Sequence, residues 1–249
     1  MKIIILGSGT AIPHKDHSPA GILLIQENQL LMLDIGPGSL AKLEKAGYSY
    51  HQLDYLFLTH LHPDHTLDLA TLLQVFDSNP DSQRTRPFFV FGCKGTKNFI
   101  DKLLELYPEI TPQKYPISIE EVEHDEVTVF GLKIISALSG HTQSSVSYSL
   151  QNSEHKLIYS GDASADGELP TLSENADVLI CECSFPSGWI SNDHLNADSV
   201  GQIAKRANVK SLIITHRYPP ALNIDIEKQI RRYYQGSLAL ASDGYCFHL

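Results

Sequence analysis

The segment DYLFLTHLHPDHT, residues 54–66, constrains the fold of this chain more than any other stretch. Its apolar run is followed, within six positions, by four side chains that can bind metal ions: His60, His62, Asp64 and His65. Side chains alternate along an extended chain, so His60 and His62 point to the same side. Pro63 is typical of the first turn of a helix, where the helix dipole favours an ionised carboxylate. The segment therefore offers ligands on two sides, enough for two adjacent metal ions.

This cluster has an alternative explanation. A single histidine at the end of a strand is more often a hydrogen-bonded structural residue than a metal ligand. Three histidines and one aspartate within six residues favour the metal site. The reason is that protonated imidazoles repel one another and gain little from clustering without a cation.

Composition and charge narrow the classes of ligand. The chain has 249 residues, of which 42% are hydrophobic and 19% charged, as in ordinary globular proteins. The formal net charge of -10 argues against a broad phosphate-binding surface. A local basic patch or a cationic metal centre can still bind one anionic group.

The cysteines predict a reducing, cytoplasmic environment. Cys93, Cys181, Cys183 and Cys246 form neither a CxxC pair nor a dense framework, so reduced thiols are expected. Cys181 and Cys183 could each add a soft metal ligand, although small side chains at the end of a strand explain them better. We find no apolar run long enough for a secretory signal or a membrane span, and we expect no membrane partner.

Strand and helix patterns run along the whole chain, and we expect a single domain over residues 1–249. Helices are predicted at residues 38–46, 67–76, 94–106, 197–207 and 224–234, with strands between them. Two pairs of strand ends are similar in sequence: LLMLDIG with LIYSGDA, and YLFLTH with SLIITH. They suggest two related halves that meet at one edge. They also predict that His60, Asp162 and His216 lie close together.

Three further side chains follow predicted strands: His141 in SGHT, Asp162 in YSGDAS and His216 in ITHRYP. Each could be an ordinary turn residue, since His and Asp after Gly are common in turns. If the cluster at residues 60–65 binds metal, these three become the candidates for the remaining ligands.

In their order along the chain, Asp34, THLHPDH, His141, Asp162 and His216 resemble the motifs of the metallo-β-lactamase superfamily. The resemblance covers nearly the whole length. The HxHxDH motif is specific, and its agreement with four other positions makes a chance match improbable. The resemblance implies an α/β fold, the metallo-β-lactamase-type αββα four-layer sandwich, with the metals at one end of two central sheets.

The resemblance also implies a role for each matching residue. One metal ion would be bound by His60, His62 and His141, and the other by Asp64, His65 and His216. Asp162 would bridge the two ions. Asp34 would support the ligands by hydrogen bonding without touching a metal itself.

Two more segments resemble the ribonuclease Z-like branch of that superfamily, namely ECSF (182–185) and HLNA (194–197), which precede the last ligand. This resemblance implies that His194 contacts a scissile phosphate and protonates the leaving oxygen, with Glu182 orienting it. The alternative explanation for His194 is a histidine in a surface loop.

The chain departs from ribonuclease Z in two respects. Between His141 and Asp162 it has only a predicted hairpin, where that enzyme usually carries a long glycine-rich arm that grips tRNA. Cys181 stands where the motif of the branch has histidine. Together with the acidic charge, these differences favour a small anionic ester over nucleic acid as the substrate.

We therefore predict a dinuclear metal-dependent hydrolase that cleaves a small phosphodiester with a hydroxide bridging two divalent ions. Histidine and carboxylate ligands favour Zn²⁺ first, with Mn²⁺ or Fe²⁺ as alternatives. Asp64 could double as the base that orients the nucleophile. Arg217 could hold an anion or be a solvated surface charge, and His14 and His17 are expected at the rim of the site or as structural residues.

Other functions stay open on the sequence alone. The chain could be ribonuclease Z itself, gripping tRNA through a basic patch of Arg84, Arg86, Lys94 and Lys97. The same metals would serve carboxyl-ester, lactone or sulfate-ester hydrolysis. A non-catalytic metal-bound scaffold is disfavoured, since such proteins usually lose ligands and none is missing here. The resemblance also allows a homodimer.

Overall fold

Two β-sheets lie face to face in the structure, a computed structural model that describes residues 1–78 and 84–249. The described strands of the first sheet are β1 (Lys2–Gly7), β2 (Gly21–Gln26), β3 (Gln29–Ile35), β4 (Leu53–Leu58), β5 (Phe88–Gly92), β6 (Ile117–Glu121) and β14 (Tyr245–His248). Those of the second are β7 (Glu126–Val129), β8 (Leu132–Leu138), β9 (Val146–Gln151), β10 (Lys156–Tyr159), β11 (Val178–Glu182), β12 (Ser211–Thr215) and β13 (Ser237–Leu240). The spatial orders are β14-β1-β2-β3-β4-β5-β6 and β13-β12-β11-β10-β9-β8-β7.

Helices cover the outer faces of both sheets. Within the described residues they are α1 (Ser39–Lys45), α2 (Pro63–Thr66), α3 (Asp68–Ser78), α4 (Thr96–Leu106), α5 (Leu169–Leu172), α6 (Ala197–Arg206), α7 (Pro219–Leu222) and α8 (Ile226–Ile230). Short 3₁₀ turns occur at Tyr50–Gln52 and Pro108–Ile110. The layers therefore follow the order helix, sheet, sheet, helix, and the fold predicted from the sequence is confirmed.

In the central strands, alternating side chains are buried on both faces of each sheet. In β1, Ile3 and Ile5 pack into the apolar layer between the sheets, whereas Ile4 and Leu6 pack outward with the helices. The second sheet is layered in the same way, with its outer face against α6 and α8. This double burial explains the continuous apolar runs in the sequence.

One edge of the sandwich collects the carboxyl ends of several strands. β3 and β4 are parallel neighbours in the first sheet, and β10, β11 and β12 are parallel neighbours in the second. Parallel strands end at the same edge, so the loops that follow them meet there. The similar strand ends noted in the sequence belong to β3 and β10 and to β4 and β12, one of each pair in each sheet.

The predicted helices are confirmed with small shifts at their ends, apart from the helix at 224–234. That prediction is wrong in length, since α8 ends at Ile230. The hydroxyl of Tyr234 lies 3.1 and 2.9 Å from the carbonyl oxygens of Val209 and Lys210, just before β12, and this contact anchors the segment that follows α8. In the described parts of the chain, every helix is too short or too polar to traverse a lipid bilayer.

Candidate metal centre

The segment after β4 brings its candidate ligands to the edge where the strands end. His62 has an extended backbone and α2 begins at Pro63, so Asp64 lies in the first helical turn as predicted. This turn packs against the end of β3 at Gly36. A Cβ atom at Gly36 would collide with the carbonyl oxygen of Asp64, so the close approach requires glycine.

All seven predicted metal ligands come together in two neighbouring sets. Within the described residues, donor atoms that lie within 4.8 Å of one another form one group of His60, His62, His141 and Asp162, and another of Asp64, His65 and His216. The segments that contribute them are far apart in the sequence. The prediction that His60, Asp162 and His216 lie close together is confirmed.

Asp162 lies between the two sets, with one carboxylate oxygen turned toward each. Its Oδ2 atom is 3.7 Å from Nε2 of His60 and 3.7 Å from Nε2 of His141. Its Oδ1 atom is 3.3 Å from Nε2 of His65 and 3.2 Å from Nε2 of His216. A carboxylate placed in this way can bridge two cations.

Several donor atoms at this centre lack a protein partner. Nε2 of three histidines and one carboxylate oxygen are buried and make no hydrogen bond with any described residue; these residues are His60, His65, His216 and Asp162. An unsatisfied buried polar atom costs about 1–3 kcal/mol, so a cluster of four requires another partner. Cations that prefer nitrogen and oxygen ligands fit this donor set.

Hydrogen bonds at Nδ1, the ring nitrogen opposite the donor atom Nε2, orient two of the candidate histidine ligands. Nδ1 of His65 donates to Oδ2 of Asp34 at 2.7 Å. Nδ1 of His141 donates to the backbone carbonyl of Asp193, also at 2.7 Å. Each bond leaves Nε2 available as a ligand, the usual arrangement around protein-bound metals. Nε2 of His141 then faces Nδ1 of His62 at 3.2 Å, as two ligands of one cation do.

Asp34 is the acceptor on which much of this orientation depends. Its fully buried carboxylate accepts hydrogen bonds from the backbone N–H and the hydroxyl of Thr59, at 2.8 and 2.9 Å. The hydroxyl of Tyr159 donates to it at 2.8 Å. The Thr59 hydroxyl also lies 3.1 Å from Nδ1 of His60, so Asp34 is connected to both ligand sets.

Two residues of the centre have a left-handed backbone. The φ angle is 57° at Asp34 and 49° at His216, which is uncommon for residues other than glycine. The N–H of His216 donates to the carbonyl of Ser8 at 2.8 Å, and this bond helps to hold the strained strand end. Strain of this kind costs about 1–3 kcal/mol and concentrates at functional sites.

The charges within the centre keep His60 neutral and favour positive charge at His65. Burial and the neighbouring charge of His65 hold the pKa of His60 well below its usual value. Burial opposes protonation of His65 as well, but the carboxylates of Asp162 and Asp34 outweigh it and raise the pKa of His65 well above its usual value. These two buried carboxylates therefore stabilise positive charge at the point where the ligand sets meet.

His194 lies beside both ligand sets and is paired with Glu182. Its Nδ1 atom is 3.0 Å from Oε1 and 3.2 Å from Oε2 of Glu182. Its ring is 4.7 Å from that of His141 and 5.8 Å from that of His216. Burial lowers the pKa of His194, but the hydrogen bond and the charge of Glu182 outweigh burial and raise this pKa to about 9. A protonated imidazole in this position can donate to a leaving group.

His14 and His17 are the two histidines expected at the rim of the site or as structural residues, and His17 has the contacts of a structural residue. Nδ1 of His17 is 2.7 Å from the hydroxyl of Ser8, and burial and the charge of Arg217 lower the pKa of His17. His14 is exposed. Neither histidine belongs to a group of candidate metal ligands in the described residues. Anion binding by Arg217 stays a prediction.

Of the four residues considered as a basic patch for tRNA, Arg84 is buried, whereas Arg86, Lys94 and Lys97 are exposed. Arg84 is buried and pairs with Asp54 at 2.7 Å, and Arg86 pairs with the same carboxylate at 3.0 Å. Lys97 pairs with Asp101 at 2.9 Å. A buried guanidinium bonded in this way is not available to a phosphate, so the prediction is wrong for Arg84.

Sequence reasoning missed several residues of the centre. Thr59 and Tyr159 occur in the repeated strand ends, and that repetition is a signal that could have identified them. The carbonyl of Asp193 has no sequence signal, because every residue carries one. Cys181 and Cys183, considered as soft ligands, are buried in an apolar cluster and lie outside the candidate metal groups of the described residues.

A family model matches this chain over the span that contains all of the candidate ligands. It is the model of the beta-lactamase superfamily domain, and it matches residues 29–217. The chain belongs to this superfamily. Members of this superfamily are metal-dependent hydrolases, in agreement with the His and Asp cluster at the strand ends.

Named superfamily relatives are similar over almost the full length. The probable metallo-hydrolase YhfI of Bacillus subtilis is 25% identical over an alignment of 251 residues, gaps included, which covers 98% of each chain. Ribonuclease Z of Haloarcula marismortui is 23% identical over an alignment of 303 residues, gaps included. This alignment covers 98% of this chain and 95% of that protein.

Solved structures of the superfamily agree with the fold. The crystal structure of the metallo-beta-lactamase fold protein YhfI matches with a TM-score of 0.84 and 23% identity, covering 99% of this chain and 98% of that one. The short form of human tRNase Z matches with a TM-score of 0.81 and 21% identity, covering 100% and 99%. Both likenesses confirm the metallo-β-lactamase fold.

Proposed function

We propose that this superfamily member is a phosphodiesterase that uses two divalent cations to cleave a small phosphodiester. The observation that supports this most is Asp162, whose two carboxylate oxygens face two separate ligand sets. Bound cations would activate a water molecule as the nucleophile and stabilise the charge that develops on the phosphoryl oxygens. Zn²⁺ suits histidine and aspartate ligands best, with Mn²⁺ or Fe²⁺ as alternatives.

His194 is the general acid in this proposal, and Glu182 positions it. A ring nitrogen of His194 lies within 4.8 Å of donor atoms of Asp162 and His216, beside the place where a bound ester would meet both sets. Glu182 is itself fixed, since its carboxylate accepts a hydrogen bond of 2.7 Å from the N–H of Ala163. Proton transfer from a positioned histidine contributes about 10²–10⁴-fold to the rate.

Asp64 has two roles in the proposal, as a ligand and as the base that orients the nucleophile. Its Oδ2 atom is 3.5 Å from Nε2 of His216 and 3.8 Å from Nε2 of His65. Burial raises the pKa of Asp64, but the hydrogen bond to His216 and the charge of His65 outweigh burial and lower this pKa. The ionised carboxylate can therefore accept a hydrogen bond from water at neutral pH.

Elemental analysis and phosphodiester turnover together test the proposal. Protein purified without chelator should hold about two transition-metal ions per chain and hydrolyse bis(4-nitrophenyl) phosphate once Zn²⁺ or Mn²⁺ is added. The variants His60→Ala and Asp162→Ala should lose metal and turnover together. Turnover of lactones or sulfate esters without any phosphodiester cleavage would assign the centre to another class of ester. A metal-loaded protein that is inactive on all of them would favour a scaffold.

Ribonuclease Z is the second candidate, because relatives of that name match most of the chain. Two observations favour the smaller substrate. The interval between His141 and Asp162 contains strands β9 and β10 and short connections, and Arg84 is buried. A gel shift with precursor tRNA at physiological salt separates the candidates. Tight binding followed by cleavage of the precursor would establish ribonuclease Z instead.

A further inference from the structure

Three aromatic side chains lead from the candidate centre to the protein surface. Tyr218 meets the rings of His216 and His194 edge to face, with ring centroids 5.6 and 5.5 Å apart. Phe185 stacks on Tyr218 at 5.4 Å, and Trp189 stacks on Phe185 at 4.9 Å with 6° between the ring planes. We call Tyr218, Phe185 and Trp189 the aromatic row.

The outer end of the aromatic row is exposed to solvent. Trp189 is 45% exposed, and in the described part of the chain Phe185 is the one aromatic ring that it contacts. Large aromatic side chains normally stabilise a protein by being buried, and exposed ones beside a polar centre often belong to a binding site. Phe185 stacks on the indole, and the exposed part of the ring can contact a planar group of a ligand.

The loop that carries Trp189 is fixed before any ligand binds. The backbone carbonyl of Trp189 accepts a hydrogen bond from the side-chain amide of Asn196 at 2.7 Å. The N–H of Gly188 donates to the Asp198 carboxylate at 2.9 Å. The same loop supplies the backbone carbonyl that orients His141. Because the surface is preformed, binding to it orders few groups, and its position relative to the candidate centre is set.

We propose that the aromatic row binds a nucleobase, so that the substrate is a phosphodiester of a nucleoside. This inference rests on the proposed phosphodiesterase function and narrows its substrate class. Every nucleobase can stack on an aromatic side chain, so the aromatic row would distinguish esters of nucleosides from aliphatic esters. It would not distinguish one base from another. The net charge of -10 favours a substrate with few phosphates over a long polyanion.

A binding measurement tests the row without any turnover. Trp189 is the only tryptophan of the chain, so tryptophan fluorescence reports this subsite alone. AMP added to the metal-loaded protein should quench the emission in a saturable manner. Ribose 5-phosphate should require a concentration at least about fivefold higher for the same quenching, because it lacks the stacking base. Equal quenching by both compounds, or none by AMP, would overturn the subsite.

Two activated esters with the same leaving group test the row in turnover. In thymidine 5′-(4-nitrophenyl) phosphate and methyl 4-nitrophenyl phosphate, water adds at phosphorus and 4-nitrophenolate leaves. The nucleoside ester should have a kcat/KM about tenfold higher. Trp189→Ala should bring this ratio close to one, and Trp189→Phe should keep most of it. Ile190→Ala is the matched control, since it removes a neighbouring side chain that is 92% exposed and should leave the ratio unchanged.

The two measurements separate the subsite from the proposed function. If AMP quenches the fluorescence but neither ester is cleaved, the proposed function and the inferred substrate class fail, and only the binding of a nucleobase by the aromatic row stands. If both esters are cleaved at equal rates and AMP does not quench, the function stands and the subsite is wrong. A ratio that Trp189→Ala leaves unchanged also overturns the assignment of the aromatic row.

Discussion

The carboxylate of Asp34 and the imidazole of His65 are joined by a 2.7 Å hydrogen bond where β3 meets α2. The bond turns Nε2 of His65 toward Asp162, which lies 3.3 Å away. The hydroxyl of Tyr159, at the end of a strand in the other sheet, donates to the same oxygen of Asp34 at 2.8 Å. The orientation of one candidate ligand thus depends on residues of both sheets.

Replacing Tyr159 with phenylalanine should weaken metal binding without removing a ligand. The variant lacks the hydroxyl that holds Asp34, and loss of such a supporting bond lowers metal affinity about 10–100-fold. Competition with a chromogenic chelator measures the affinity. Tyr148→Phe is the matched control, because the Tyr148 hydroxyl donates to the carbonyl of Leu58 in the same buried layer. It should lose about 1 kcal/mol of stability and keep its metal affinity; equal affinities in the two variants would refute the role of Tyr159.

The fold and the position of the centre could be predicted because both follow from local sequence patterns. The HxHxDH segment places its own ligands through the alternation of an extended chain and the proline that starts α2. The similar strand ends then bring Asp162 and His216 to the same edge, since both follow strands of the second sheet that end there.

The supporting contacts could not be predicted, because they join segments that are distant in the sequence. Nothing near His141 indicates that the carbonyl of Asp193, 52 residues later, accepts its N–H. From the sequence alone, Arg84 would be expected at the surface, as most arginines are. Its pairing with Asp54 and the ring of Phe76, 4.3 Å from its guanidinium carbon, bury it instead. Such pairings depend on the tertiary fold and leave no periodic pattern.

The His194→Ala variant should keep its metal ions and lose activity according to the leaving group. A basic leaving oxygen needs the proton that His194 donates, so kcat for alkyl diesters should fall about 10²–10⁴-fold. Esters of 4-nitrophenol should lose far less, because 4-nitrophenolate departs without a proton. Rates on both classes of ester, with elemental analysis of the same sample, check this. An equal loss on both would indicate that His194 positions the ligands rather than donating a proton.

Gly161 should be intolerant of a side chain. It precedes Asp162 and has a φ of 55°, and a Cβ atom there would lie 2.6 Å from Cβ of Thr59. Gly161→Ala should lose about 2–4 kcal/mol of stability and bind metal more weakly, because Thr59 holds Asp34. Gly131→Ala is the control, with a φ of 72° but open space around it. This control variant should lose about 1 kcal/mol of stability and bind metal as the parent does. Urea unfolding measures the stability and chelator competition measures the metal affinity. Similar losses in the two variants would exclude the collision as the cause.

Asp243 should contribute stability that is lost in acid. Burial raises the pKa of Asp243, but hydrogen bonds from Lys42, Ser18 and Ser8 outweigh burial and lower this pKa. A carboxyl with a lowered pKa stabilises the folded state above its unfolded pKa of about 3.9, and the contribution disappears as the pH falls through the folded pKa. Asp243→Asn should therefore be less stable than the parent at neutral pH, and the difference should shrink below about pH 4.

Urea unfolding of chelator-treated protein at neutral and acidic pH measures the contribution of Asp243 without interference from metal. Asp101→Asn, which removes an exposed ion pair with Lys97, should change the free energy of unfolding by less than about 1 kcal/mol at either pH. A difference between the parent and Asp243→Asn that stays constant across the pH range would mean that packing, not charge, is responsible.

Removing the metal ions should lower the Tm, because only the folded chain brings the two ligand sets together. A cation at 100 times its Kd stabilises the folded state by about 2.7 kcal/mol, or roughly 5–10 °C for a chain of this length. Calorimetry after EDTA treatment, and again after Zn²⁺ is restored, measures the shift. Asp162→Asn should show little shift, since its carboxylate faces both sets. Asp177→Asn is the control and should keep the full shift, because Asp177 precedes the first residue of β11, at the end of that strand away from the candidate centre. An equal shift in both variants would mean that the stabilising cation binds elsewhere.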